Sequence, residues 1–140
     1  MAGMGLNILI GDASPRVRFG LRILLEQQHG WRVVGEAEDA QALLESVRCG
    51  CPDLVLLDCE LPGMPSQELL TVIRCACPHL WIVFMSSRDE LRQAALEAGA
   101  DVFAYKADSP EKLLGFIRGL MADGVVSAPL TNSKLPCSDD

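Results

Sequence analysis

Apolar positions along the chain fall into two alternating patterns. Short, nearly unbroken apolar runs such as Leu6-Asn7-Ile8-Leu9-Ile10 and Leu54-Val55-Leu56-Leu57 suit strands buried on both faces. Between them, apolar residues recur at helical spacing, as in Val17, Leu21, Leu24 and Leu25, which gives a helix one buried stripe. Punctuation agrees with periodicity. Ser14-Pro15 and Ser109-Pro110 each pair a capping hydroxyl with proline at the first helical position. The pattern predicts strands at Leu6–Ile10, Trp31–Ala37, Leu54–Leu57, Leu80–Met85 and Val102–Tyr105. It predicts helices from Pro15 to about Gln28, from the cap Asp39 to about Arg48, and over Gln67–Ala76, Asp89–Ala98 and Pro110 to about Ala122. Gly30, Gly50, Gly99 and Gly124 stand where four of these helices stop.

Each strand–helix unit takes about 20–27 residues, which fits parallel strands joined by crossover helices. Five such units imply an α/β fold: a doubly wound five-stranded parallel sheet, flavodoxin-like, in strand order 2-1-3-4-5. From Val125 onward the periodicity stops. Residues 1–122 are therefore expected to form one domain and 123–140 a linker or tail.

Composition bounds the function. The 140 residues are 49% hydrophobic and 22% charged, enough for a single core and too apolar for disorder. No apolar run reaches the roughly 18–20 residues that cross a bilayer, and Met1-Ala2-Gly3-Met4-Gly5 lacks the features of a signal peptide. The expectation is a soluble, cytoplasmic domain. A net charge of −7 repels phosphate backbones, and four Phe, two Trp and one Tyr are too few for a base-stacking platform. Cys49-Gly50-Cys51 and Cys75-Ala76-Cys77 leave one residue between thiols, closer than zinc sites usually allow, and free thiols are expected at all six cysteines.

In such a sheet, ligands bind beyond the carboxyl ends of the strands, where the strand order reverses. That edge collects Asp12 after the first strand, Asp58 at the end of the third, Ser86 after the fourth and Lys106 after the fifth. Two acids, a hydroxyl and an ammonium suit a divalent cation and a phosphoryl group. Asp58 carries most weight, because it closes an apolar run where an unpartnered carboxylate is costly.

These residues make a family resemblance. From about Leu6 to Leu120 the chain resembles a response-regulator receiver domain. The resemblance rests on Leu54-Val55-Leu56-Leu57-Asp58 followed by Leu61-Pro62-Gly63-Met64, on Ser86-Ser87, and on Gly99-Ala100-Asp101-Val102-Phe103-Ala104-Tyr105-Lys106. It implies that Asp58 takes a phosphoryl group from a sensor histidine kinase, that Lys106 neutralises that group and that Ser86 hydrogen-bonds it. It also implies magnesium held by Asp12, Asp58 and the main-chain carbonyl of Glu60, and a ring at Phe103 that swings with the switch. The function implied is signalling rather than enzymatic turnover. Lacking a hydroxyl, the Phe103 ring is expected to lie buried even without phosphate.

One position departs from the family. Ala13 stands where a second consecutive acid is usual, which implies weak magnesium binding. The Glu60 side chain is placed either to compensate from the other rim or to pair with Arg88 across the site. Ser14-Pro15-x-x-Arg18-x-Gly20-Leu21 and Lys106-Ala107-Asp108-Ser109-Pro110 resemble LuxR-type transcriptional regulators. That likeness implies a homodimer and DNA binding only through a C-terminal domain outside these residues. Two other classes compete: a pseudo-receiver that binds partners without phosphorylation, and a phosphatase with Asp58 as nucleophile and Glu60 as general acid.

Overall fold

Two capping side chains set the first helices. Ser14 Oγ accepts the Val17 N–H at 3.2 Å and Asp39 Oδ1 accepts the Ala42 N–H at 2.8 Å, each satisfying a backbone donor that a helix start leaves free. The computed structural model describes residues 5–123. In chain order these form β1 (Leu6–Gly11), α1 (Pro15–Glu26), β2 (Trp31–Ala37), α2 (Ala40–Cys49), β3 (Leu54–Asp58), α3 (Ser66–Ala76), β4 (Trp81–Ser86), α4 (Arg92–Glu97), β5 (Val102–Tyr105) and α5 (Pro110–Asp123). The expected tail from residue 124 lies outside the described residues.

The strands form one parallel sheet in the order β2-β1-β3-β4-β5, as the alternation implies. All five residues of β3 are buried, which explains its unbroken apolar run at the centre of the sheet. Alternating side chains feed two cores. Leu9, Val55, Leu57, Ile82 and Phe84 meet α2 and α3 through Leu43, Leu69 and Ile73. Ile8, Ile10, Leu56, Val83 and Met85 meet α1 and α5 through Leu25, Leu114 and Ile117 on the other side.

The fourth helix is shorter than the periodicity suggests. Asp89–Leu91 form a single 3-10 turn and α4 begins only at Arg92, because no side chain caps either start and the regular hydrogen bonds set in late. Gly99, at φ +122°, closes it in a conformation that glycine adopts without strain.

The cysteine expectation is corrected. Cys51 and Cys77 form a disulfide, with Cα atoms 5.9 Å apart, and Cys75 is not free either. The reason is tertiary: α2 and α3 pack side by side on one face, so the loop after α2 and the C-cap of α3 meet at the amino-terminal edge of the sheet. Cys49 and Cys59 are free thiols; Cys137 lies outside the described residues. Among the described residues no helix is long and apolar enough to cross a membrane.

Candidate functional site at the carboxyl edge of the sheet

Strand register builds the site. Gly11, Leu57, Phe84 and Phe103 pair in one row across β1, β3, β4 and β5. One step further along their strands stand Asp12 and Asp58, two steps along is Ser86, and Lys106 lies three steps past Phe103. All four residues singled out from the sequence therefore reach the same edge.

The two carboxylates are almost entirely buried, at 3% and 6% exposure. The Lys106 ammonium lies between them, 2.7 Å from Asp58 Oδ1 and 3.3 Å from Asp12 Oδ2. Burial pushes that ammonium towards neutrality, but the hydrogen bond and charge of Asp58, then Asp12, outweigh it and hold Lys106 above the ordinary lysine value. The remaining carboxylate oxygens take backbone donors: Asp58 Oδ2 accepts the Glu60 N–H at 3.1 Å and Asp12 Oδ1 the Ser14 N–H at 2.9 Å. The Lys106 N–H in turn donates to the Ser86 carbonyl at 2.8 Å, tying the ends of β4 and β5 together.

The loop after Asp58 is latched to α2. Ala40 N–H donates to the Pro62 carbonyl at 2.8 Å, and Gly63 turns at φ +108° so close to Ala40 that a Cβ there would lie 3.3 Å from its backbone nitrogen. Proline and glycine serve the turn here, and through it the position of Asp58.

Ser86 is fully buried, and its hydroxyl oxygen accepts from the Arg88 N–H at 2.9 Å and from the Cys59 thiol at 3.2 Å. Burial pushes the Cys59 thiol up; the Ser86 contact opposes this, and the charges of Asp58 and Glu60 add to the rise. Phe103 is 3% exposed and lies inward, its ring 6.2 Å from that of Phe84 with the Arg92 guanidinium 5.3 Å over its face, as a ring without a hydroxyl is expected to lie.

Glu60 brings its backbone to the site while its side chain is exposed. It does not pair with Arg88. Arg88 Nε lies 3.4 Å from Glu90, a neighbour two residues along that its exposed side chain reaches without crossing the site. Among the described residues, no three His, Cys, Asp or Glu side chains are grouped to hold a metal ion. The donors present are nevertheless of the right chemistry. Magnesium is commonly held by one or two carboxylates with waters completing the shell, and Asp12 and Asp58 leave one net negative charge after Lys106.

Two contributors were not legible as such. Arg18, noted only as part of a subfamily pattern, donates to the Asp12 carbonyl at 2.6 Å while its Nε holds Glu36 at 3.0 Å, bracing the end of β1 against β2. Cys59 was counted among the thiols, and its contact with Ser86 depends on strand register rather than on any sequence signal.

Residues 8–118 match the sequence pattern of the family described as the response regulator receiver domain. The chain is 33% identical over 135 residues to the transcriptional activator protein ExaE of Pseudomonas putida, a match covering 94% of this chain and 63% of that protein. It is 36% identical over 102 residues to the fimbriae Z protein of Salmonella typhimurium, covering 71% of this chain and 49% of that one. The chain thus spans about half to under two-thirds of the length of these relatives. Among solved structures it is similar to a two-component response regulator of the LuxR family from Aurantimonas sp. SI85-9A1. The TM-score is 0.79 at 32% identity, covering 84% of this chain and 86% of that one.

Proposed function

The chain belongs to the response regulator receiver family, and on that premise we propose that Asp58 receives a phosphoryl group from the phosphohistidine of a sensor histidine kinase. The observation that carries this reading is the Lys106 ammonium held between two buried carboxylates at the switch edge of the sheet. A carboxylate oxygen of Asp58 attacks phosphorus; the new P–O bond forms as the P–N bond breaks, and its electron pair leaves with the imidazole nitrogen. Lys106 neutralises the transferred group, and the Ser86 hydroxyl donates a hydrogen bond to one of the phosphoryl oxygens. Asp12, Asp58 and the Glu60 carbonyl would hold magnesium, whose charge offsets that of the phosphoryl oxygens when it is bound. Ala13 makes that hold weak.

Receiver domains of transcriptional response regulators are generally not enzymes, and here the output is read as a change of partner rather than turnover. Residues 1–122 act as the receiver and 123–140 as its linker or tail, in a cytoplasmic protein. A homodimer carries the output, and DNA is reached through a C-terminal domain beyond these residues. Sedimentation with and without phosphodonor reads the dimer, which a strictly monomeric chain under both conditions refutes. The central test is intact mass after incubation with an acyl phosphate and magnesium. One phosphoryl adduct is expected on the parent chain and none on Asp58→Asn; an adduct that survives the substitution overturns the assignment.

A further inference from the structure

The Ser86 hydroxyl has all its hydrogen-bonding capacity engaged. A hydroxyl offers one proton and two lone pairs. Here the oxygen accepts the Arg88 N–H at 2.9 Å and the Cys59 S–H at 3.2 Å, and the proton faces the Arg88 carbonyl at 3.5 Å. The last contact is at the limit of hydrogen-bond length, so the orientation of Ser86 rests on the two accepted bonds. One of them, from Arg88, is local backbone. The other comes from the turn just past β3, and from the residue directly after Asp58.

Cys59 is well placed to act as a fixed point. Its own N–H donates to the Met85 carbonyl at 2.9 Å, and its side chain is half-buried against the core beneath α2 and α3. A free thiol is mostly protonated near neutral pH and so remains a donor. On the reading that Asp58 is the phosphoacceptor, we infer that Cys59 is a positioning residue whose thiol holds the Ser86 hydroxyl in its resting orientation. Releasing that bond lets Ser86 turn towards a phosphoryl group on Asp58. The residue after the acceptor thereby sets how readily the switch closes, without touching the phosphoryl group itself. Because S–H is a weak donor, the bias is small, and a small bias in a two-state equilibrium multiplies the closed population by a modest factor.

Cys59→Ala and Cys59→Ser both shorten the side chain, but only Ser retains a donor, so comparing them separates the bond from lost volume. Affinity for beryllofluoride with magnesium is expected to rise about threefold in Cys59→Ala, to return towards the parent value in Cys59→Ser, and not to change with Cys59→Ala when Ser86 is already Ala. Infrared spectroscopy supplies a readout independent of phosphorylation. The S–H stretching band that Cys59→Ala removes should shift towards that of an unbonded thiol in Ser86→Ala. A band indifferent to Ser86→Ala overturns the inference. So does an equal effect of Cys59→Ala and Cys59→Ser, or an effect that persists undiminished without the Ser86 hydroxyl. Absence of any adduct on the parent chain instead overturns the phosphoacceptor reading, and the infrared comparison then still decides whether the thiol holds the hydroxyl.

Discussion

Replacing Lys106 by Met keeps the aliphatic stem and deletes the ammonium 2.7 Å from Asp58 and 3.3 Å from Asp12. The carboxylates left behind are 6% and 3% exposed, so water replaces little of the lost interaction. Breaking a fully buried ion pair costs about 3–5 kcal/mol. The Lys106 side chain is 32% exposed, and screening from that side lowers the expected loss to about 2 kcal/mol. For a domain of this size that is a fall in Tm of about 5–10 °C. The sign with pH follows from linkage. Lys106 is held above the ordinary lysine value of 10.5, so its contribution is fully present below that value and is lost as pH rises through the raised folded one. Urea unfolding of parent and Lys106→Met should therefore show a constant gap from neutral pH to about pH 10 that closes at higher pH. Adding Asp12→Asn to the variant should recover part of the loss by removing one of the two facing carboxylates. Equal stabilities at pH 7, or a gap unchanged above about pH 12, would refute the reasoning.

The other predictions concern the metal, the disulfide and the turn. Ala13 is exposed, so Ala13→Asp should fold normally and bind magnesium on the order of tenfold more tightly by calorimetric titration; an unchanged isotherm refutes the expected weakness. Cys51→Ser opens a closed loop of sequence separation 26 and should cost about 3 kcal/mol in urea unfolding, against no loss if the bond contributes nothing. Gly63→Ala places a Cβ against Ala40 at positive φ and should cost about 1–3 kcal/mol, so a melting temperature equal to the parent's would count against the latch.

What the sequence made legible was local or followed from topology. The caps at Ser14 and Asp39 and the fully buried strand at Leu54–Asp58 are signals within a few residues of each other. The meeting of Asp12, Asp58, Ser86 and Lys106 follows from strand order alone, since parallel strands bring all their carboxyl ends to one edge. The disulfide was not legible, because Cys51 and Cys77 meet only through the packing of α2 on α3. Arg88 paired locally for a related reason: a long exposed side chain with an acid two residues away gains little by reaching across a site. The Cys59–Ser86 contact needs the exact pairing of β3 with β4, which periodicity does not encode.

The bond between Cys51 and Cys77 also changes what a break in the backbone means. Residues 51–77 become a covalent ring that contains β3, the turn at Pro62 and Gly63 and the whole of α3. A single proteolytic cut in the partly exposed stretch between Glu60 and Gln67 would leave both fragments joined, migrating as one chain until a reductant is added. The strand bearing Asp58 would stay moored at its far end, so a nicked molecule keeps the Asp58 carboxylate next to Lys106.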